Sequence, residues 1–131
     1  MSDYTSAHAE SGLTAKLPAI EAFPSQFSRY DVTIVIPEYT SICPKTGLPD
    51  FGTITICYVP DKLCVELKSL KSYIQGYRNI GIFYENAVNR ILNDFVKVCK
   101  PASASVKGEF NIRGGMRSII EARHERKKSK R

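Results

Sequence analysis

The stretch F-G-T-I-T-I-C-Y-V-P, residues 51–60, alternates between two kinds of side chain. One set is mostly large and apolar, and the other is mostly smaller or polar; the first comprises Gly52, Ile54, Ile56 and Tyr58, and the second Thr53, Thr55, Cys57 and Val59. A period of two places each set on its own face of a β-strand. Upstream, apolar residues recur in the same way at Tyr30, Val32, Ile34 and Ile36, so two successive strands are predicted.

After Pro60 and Asp61 the apolar period changes to that of helices. In a first predicted helix Leu67, Leu70 and Ile74 share one side, and Lys68 and Lys71 lie three residues apart on another edge. A second helix is predicted after Gly81 and ends at Pro101, because proline cannot continue a helix. Its apolar stripe is formed by Val88, Ile91, Leu92, Phe95 and Cys99.

Alternation resumes after this helix, in Ala104, Val106, Gly108, Phe110 and Ile112. The segment Arg113-Gly114-Gly115 predicts a turn, and residues 116–122 predict a last strand. The order ββααββ predicts an α+β fold, with a four-stranded antiparallel sheet and two helices on one face. The other face and the sheet edges would stay open, so we expect identical subunits to assemble into a ring or barrel with sites between subunits.

Length and composition favour a single small domain. The chain has 131 residues; residues 28–122 are predicted to form the domain, residues 1–27 an N-terminal arm without a core face, and residues 123–131 a basic disordered tail. The last eleven residues hold six Lys/Arg and two Glu, so they contribute +4 of the net charge of +6. The body is therefore not strongly basic, and no specific nucleic-acid partner is expected.

The four cysteines include no C-x-x-C pair, and no apolar run approaches the roughly 20 residues of a membrane span. Both features favour a reduced, cytoplasmic protein without a membrane partner. The two histidines, His8 and His124, both lie in the predicted terminal segments, so no metal site and no histidine-activated nucleophile are expected. Proton transfer would then use Asp, Glu, Tyr or Lys.

Cys43 is the candidate nucleophile. It lies in the segment S-I-C-P-K-T-G-L-P-D, residues 41–50, where two prolines and Gly47 predict a tight loop. A free cysteine is more often a small buried hydrophobe, and Cys57, Cys64 and Cys99 lie in apolar runs that suit that role. Cys43 instead lies in a polar loop of an exposed type, and Asp50 begins the next strand, where its carboxylate can return to the thiol and exchange protons with it.

Three segments together carry a family resemblance. S-I-C-P-K-T-G-L-P-D-F (41–51), E-L-K-S-L-K-S-Y (66–73) and Y-R-N-I-G-I-F-Y-E-N (77–86) resemble the 7-cyano-7-deazaguanine reductases, the QueF nitrile reductases of queuosine biosynthesis in tRNA, in their single-domain form. The second segment is similar to that family's signature helix except at Ser72, where the family prefers Leu or Tyr. The resemblance covers roughly residues 30–120 and implies the tunnelling fold (T-fold), ring assembly and NADPH as the hydride source.

The resemblance also implies a chemistry. Cys43 would attack the nitrile carbon of 7-cyano-7-deazaguanine to form a thioimide, and Asp50 would protonate the nitrogen. Two hydrides from two NADPH molecules would then give the amine of 7-aminomethyl-7-deazaguanine without a metal.

The substrate contacts implied by the resemblance lie in two segments. Glu85 matches the family carboxylate that binds the guanine-like edge of the substrate, although a solvated charge at a helix N-terminus is the usual role of such a residue. Tyr84 stands where many family members have His. Val65, Glu66 and Leu67 match a substrate-contact stretch before the signature helix, and Leu67 could contribute only through its main chain.

The cofactor contacts implied by the resemblance are basic. Lys68, Lys71 and Arg113 are candidates for the phosphates of NADPH; a solvated lysine face is an equally good explanation of the two lysines. No G-x-G-x-x-G segment is present, so this cofactor site would not be of the Rossmann type.

Two other functions remain open. A branch of the same fold transfers an amino group to the nitrile without NADPH, and the signature helix speaks against it. A non-catalytic RNA-binding module would use the basic tail, and would leave the Cys43 loop unexplained.

Overall fold

The computed structural model of the protein describes residues 4–126, which form one layer of sheet covered by helices. In chain order the elements are α1 (Ser6–Glu10), β1 (Ala22–Pro24), β2 (Val32–Ile42), β3 (Pro49–Val59), β4 (Leu63–Val65), α2 (Leu67–Gln75), a short 3-10 helix (Gly76–Asn79), α3 (Tyr84–Cys99), β5 (Ser103–Phe110) and β6 (Ile119–Glu125). Strands β2, β3, β5 and β6 form an antiparallel sheet in that order, and β1 pairs with β4 in a separate two-stranded sheet. The predicted α+β architecture is confirmed.

The predicted alternation in β3 decides which face of the sheet is buried. Ile54 and Ile56 are fully buried and Tyr58 is nearly so, on the face that the helices cover. The intervening residues of β3 point to the other face, where Phe51 is half exposed. The sheet therefore has one covered and one open face, as predicted.

Helix α3 packs over the sheet through its apolar stripe. All five residues of its predicted stripe are buried, and Phe95 packs edge-on against Tyr58 of β3, with 4.8 Å between ring centroids. The helix ends at Cys99; its C-cap residue Lys100 has a left-handed φ of 47°, and Pro101 follows. In α2 Leu70 and Ile74 are buried, whereas Leu67 is exposed.

Gly108 in β5 makes room for an aromatic pair that reaches the site described below. A Cβ at this position would lie 2.7 Å from atoms of both Phe110 and Val88. The Phe110 ring occupies this space, fully buried, and the Tyr84 ring at the start of α3 stacks on it. The first turn of α3 is thereby fixed against the sheet.

The prediction that the N-terminal segment lacks a core face is wrong. Ile20 is buried in the core, and β1 pairs with β4. Arg90 of α3 donates hydrogen bonds of 2.5 Å to the carbonyl oxygens of Gly12 and Ala15, which fastens the preceding segment to the helix. Burial of Ile20, the pairing of β1 with β4 and the hydrogen bonds from α3 hold this segment, and none of them produces a periodic pattern in the sequence.

The last strand lies three residues further along the chain than predicted. Strand β6 ends at Glu125 rather than Ala122, and Met116 belongs to the turn, where it pairs with Arg113. The domain boundary at residue 122 is therefore wrong, because Arg123, His124 and Glu125 continue the sheet. Arg126 then pairs with Asp61 at 2.5 Å. Residues 127–131 of the predicted tail lie outside the described residues.

Candidate active site

The loop that carries Cys43 connects β2 to β3 and is held at both ends. The Cys43 amide donates to the Leu48 carbonyl, and the Gly47 amide donates to the Cys43 carbonyl, each at 2.9 Å. Gly47 has a φ of 71°, a left-handed conformation that glycine adopts without steric cost. On the other side, Ile42 exchanges two 2.9 Å hydrogen bonds with the segment before α3, so the loop and the start of α3 lie side by side.

The thiol of Cys43 is buried, with 8% of the residue exposed, although its loop neighbours Lys45 and Thr46 are exposed. The prediction that Cys43 lies in an exposed type of loop is correct for the neighbouring loop residues and wrong for the sulfur of Cys43 itself. Burial opposes ionisation of the thiol, but the Thr46 hydroxyl and the backbone amides of Thr46 and Lys45 outweigh it, so the pKa of Cys43 lies below its usual value. The loop therefore favours a thiolate in a small, shielded position.

Asp50 lies opposite Ser41 in the β2–β3 pairing and is 5% exposed. Its Oδ1 accepts a 3.0 Å hydrogen bond from the Tyr84 hydroxyl and lies 2.8 Å from Nη1 of Arg113. The negative charge of Asp50 acts to raise the pKa of the Cys43 thiol, so the two groups are electrostatic neighbours. Both donors fall on Oδ1, and neither occupies Oδ2.

Tyr84 is held from two sides. Its ring stacks on Phe110 with 3.9 Å between centroids and 11° between planes, and its hydroxyl is bonded to Asp50. Burial, together with the Asp50 carboxylate, raises the pKa of Tyr84 to about 12. The phenol is therefore a neutral hydrogen-bond donor near neutral pH, and it cannot serve as the proton shuttle that an imidazole at this position would provide.

Glu85 follows Tyr84 in the first turn of α3 and is exposed. Nearby on β2, the hydroxyls of Tyr39 and Ser41 are buried without a well-formed hydrogen bond to any described residue. Ser41 lies directly across from Asp50. Sequence reasoning missed these two hydroxyls and Thr46; the signal for Ser41 is a polar residue at a buried position of the β2 alternation.

The residues predicted before α2 have mostly structural contacts. Val65 is buried in the core, and its amide donates to the Tyr58 hydroxyl at 3.1 Å. The Glu66 carboxylate caps α2 by accepting hydrogen bonds from the amides of Lys68 (2.8 Å) and Ser69 (2.7 Å), and these bonds lower its pKa. Leu67 is 60% exposed.

A cleft of about 730 Å³ lies between α2 and the β2–β3 strands. Thr40 and Phe51, which adjoin Ser41 and Asp50 in sequence, line the strand side, and Lys71 lines the helix side. Arg78 adds a second cation, and the half-exposed ring of Phe51 adds apolar surface. Cations beside exposed apolar groups suit a ligand that combines phosphates with planar rings, so the cleft fits a dinucleotide cofactor.

Comparison with known proteins identifies the family. The family model described as QueF-like protein matches residues 49–129. A protein named NADPH-dependent 7-cyano-7-deazaguanine reductase from Elusimicrobium minutum is 58% identical over 95% of this chain and 95% of its own. The chain belongs to the QueF-like family. A protein of the same name from Chlorobaculum tepidum is 55% identical over 83% of this chain and 95% of its own.

A solved structure extends the QueF-like assignment to the fold. The apo crystal structure of the archaeosine synthase QueF-Like superimposes with a TM-score of 0.69 at 18% identity, over 74% of this chain and 95% of that chain. The family and the tunnelling fold predicted from the motifs are thus confirmed. No helix within residues 4–126 has the length and apolarity needed to cross a bilayer.

The structure divides the predicted site residues of this QueF-like protein into two groups. Cys43, Asp50, Tyr84 and Arg113 form one cluster, and Glu85 follows Tyr84 in the sequence. The second group lies at the start of α2, where Lys68 and Lys71 are exposed. Among residues 4–126, no three His, Cys, Asp or Glu side chains are arranged to hold a metal ion.

Proposed function

We propose that this protein reduces the nitrile of 7-cyano-7-deazaguanine to the aminomethyl group with NADPH, through a covalent bond to Cys43. The observation that carries the proposal is a buried pair of groups. The Cys43 thiol has a lowered pKa, and the Asp50 carboxylate lies close enough for its charge to act on that thiol. A thiolate is the nucleophile for an unreactive nitrile carbon, and a carboxylate can move the accompanying proton.

The covalent step balances without any other reactant. The sulfur of Cys43 forms a bond to the nitrile carbon, and the nitrogen takes up one proton to become the N–H of a thioimide. Asp50 receives the thiol proton and delivers it to the nitrogen, so the carboxylate is regenerated. Burial of both groups excludes water, which would otherwise compete for the thiolate and the thioimide.

Glu85 is proposed to bind the guanine-like edge of the substrate. Adjacent N–H donors on that edge match a carboxylate that accepts two hydrogen bonds. Its exposed position in the first turn of α3, directly after Tyr84, lets a ligand lie between Glu85 and the Cys43 loop. The buried Ser41 and Tyr39 hydroxyls, which form no well-formed hydrogen bond to a described residue, are available to the same ligand or to a bound water.

The cofactor, when bound, supplies hydride, and reduction of a nitrile to an amine requires two of them. We assign its phosphates to Lys68 and Lys71, which are both exposed on α2; Lys71 also lines the cleft. Glu66 supports them indirectly, since its carboxylate fixes the N-terminus of the helix that carries both lysines. The prediction that Val65 and Leu67 contact the substrate rests on the resemblance, and the only part of Val65 suited to such a contact is its main chain.

We propose that the protein is cytoplasmic and forms a homo-oligomer. The open face of the four-stranded sheet and its two outermost strands, β2 and β6, are the surfaces that assembly of identical subunits would cover. In that arrangement Glu85 or the lysines of α2 complete the site of a neighbouring subunit. Activity should then fall with dilution as the oligomer dissociates.

The decisive experiment follows NADPH absorbance with 7-cyano-7-deazaguanine as substrate. Consumption of two NADPH per product, with the aminomethyl product identified by mass, supports the reductase. Product formed from an amino donor without loss of NADPH would instead support the amino-transfer branch. Absence of any product, together with RNA binding that weakens steeply with salt, would favour the binding module.

A further inference from the structure

Arg113 contacts the candidate acid-base group directly. It lies on the connection between β5 and β6, and its guanidinium forms two contacts at the start of β3: Nη1 with Asp50 Oδ1 at 2.8 Å, and Nη2 with the Pro49 carbonyl at 3.2 Å. The two guanidinium nitrogens therefore hold both the Asp50 carboxylate and the backbone beside it. Arg113 itself is about half exposed, so the ion pair joins a buried anion to a cation at the surface.

We propose that Arg113 is a positioning residue for the covalent step, in which it holds Asp50 as the carboxylate that receives the Cys43 proton. This inference rests on the proposed nitrile chemistry and deepens it. The covalent step takes place before any cofactor is needed. The role proposed for Arg113 in that step therefore differs from a role in binding cofactor phosphates.

The groups around Asp50 explain why a cation matters there. From β2 the hydroxyls of Tyr39 and Ser41 face it, from α3 the Tyr84 hydroxyl, and from the β2–β3 loop the Cys43 thiol. All four are neutral or can become negative. A buried carboxylate among such groups is costly in its ionised form unless a cation compensates it, and Arg113 supplies that charge.

The geometry also leaves one oxygen for the reaction. Arg113 and Tyr84 both engage Oδ1, which fixes the orientation of the carboxylate and leaves Oδ2 clear of both. We assign Oδ2 as the atom that takes the proton when the S–H bond of Cys43 breaks. The same oxygen then passes the proton to the nitrile nitrogen as the C–S bond forms, and Asp50 returns to the carboxylate.

The test measures covalent adduct formation without cofactor. The wild-type protein, Arg113→Gln and Arg113→Lys are mixed with 7-cyano-7-deazaguanine in the absence of NADPH, quenched over time and analysed by intact mass. The rate is measured from roughly pH 5 to 9, the range in which carboxylates and thiols titrate in proteins. Arg117→Gln serves as the matched control, because it removes an exposed cation from the same connection between β5 and β6.

For Arg113→Gln we expect an adduct rate about tenfold or more below wild type, since a positioned general base contributes roughly 10²–10⁴-fold. The acid limb of its pH profile should move to higher pH, because loss of the cation favours the protonated carboxyl. Arg113→Lys should restore the position of the acid limb but not the full rate. Lysine keeps the positive charge and lacks the two guanidinium nitrogens that contact Asp50 and the Pro49 carbonyl together. Arg117→Gln should match wild type.

An Arg113→Gln profile that coincides with wild type in rate and in pH dependence would overturn the inference. If Arg113→Gln does not fold, an Arg113→Lys profile identical to wild type in rate would do the same. A wild-type protein that forms no adduct at any pH would overturn the proposed function and this inference with it. An equal loss in Arg113→Gln and Arg117→Gln would also contradict the inference, because it would show a general effect of charge.

Discussion

Replacement of Tyr84 by Phe tests whether this phenol orients Asp50. The change removes one hydrogen bond of 3.0 Å to Oδ1 and keeps the ring that stacks on Phe110 at 3.9 Å. A hydrogen bond to a charged group contributes about 1.5–3 kcal/mol. Because Arg113 remains on the same oxygen, we take the lower end, which corresponds to about a tenfold slower covalent step.

The assay for Tyr84→Phe is the rate of adduct formation as a function of pH. The pKa of Tyr84 is raised to about 12, so the phenol is neutral throughout the working range and its removal should not alter the alkaline limb. The acid limb should move to higher pH, because the carboxylate loses a donor that stabilises its ionised form. Thermal unfolding close to that of wild type would show that the stack survives. An unchanged rate, or a displaced alkaline limb, would refute the role of an orienting neutral donor.

Three further substitutions separate proton transfer, substrate binding and cofactor binding. Asp50→Asn keeps the size of the side chain but cannot carry a proton, so turnover should fall by at least about 100-fold while equilibrium binding of the substrate persists; turnover close to wild type would remove Asp50 from the chemistry. Glu85→Gln should weaken substrate binding by about 2–4 kcal/mol in titration calorimetry, since the donor pair loses its charged acceptor, and unchanged affinity would exclude Glu85 from the site. Lys68→Ala and Lys71→Ala should each raise the KM for NADPH more than the KM for the nitrile, with a difference that shrinks at high salt; equal changes in both constants would contradict the phosphate assignment.

The sheet and the main helices could be predicted because each has a simple period. The alternation around Ile54 and Ile56 fixes one buried face, and the stripe from Val88 to Cys99 fixes the covering helix. Each pattern lies within one continuous segment of the chain and repeats several times along it. The packed N-terminal segment has no such pattern, because Ile20 and a few hydrogen bonds from α3 hold it in place.

The nucleophile and its carboxylate could also be predicted, since Cys43 and Asp50 flank one hairpin loop and must return close to each other. The contact of Arg113 with Asp50 could not, because it depends on how β5 and β3 are paired and on the course of the following turn. The capping role of Glu66 could not be predicted either. The resemblance implies a substrate contact for this residue, and in this structure its carboxylate also caps α2.

The burial of the Cys43 thiol also could not be predicted from the sequence. A polar loop predicts exposed residues, and Lys45 and Thr46 are exposed. The side chain of Cys43 turns inward because its amide and carbonyl bond to the far side of the same loop. Those bonds also direct the amides of Lys45 and Thr46 toward the sulfur, which lowers its pKa.

The most direct test of the account is the site of covalent attachment. The protein is incubated with 7-cyano-7-deazaguanine without NADPH, and intact mass and peptide mapping locate the adduct in wild type, Cys43→Ala and Cys57→Ala. The account predicts one adduct per chain on Cys43, its complete loss together with turnover in Cys43→Ala, and its retention in Cys57→Ala, whose substituted residue lies on the open face of β3. An adduct that persists in Cys43→Ala, or turnover that survives this substitution, would contradict the proposed chemistry.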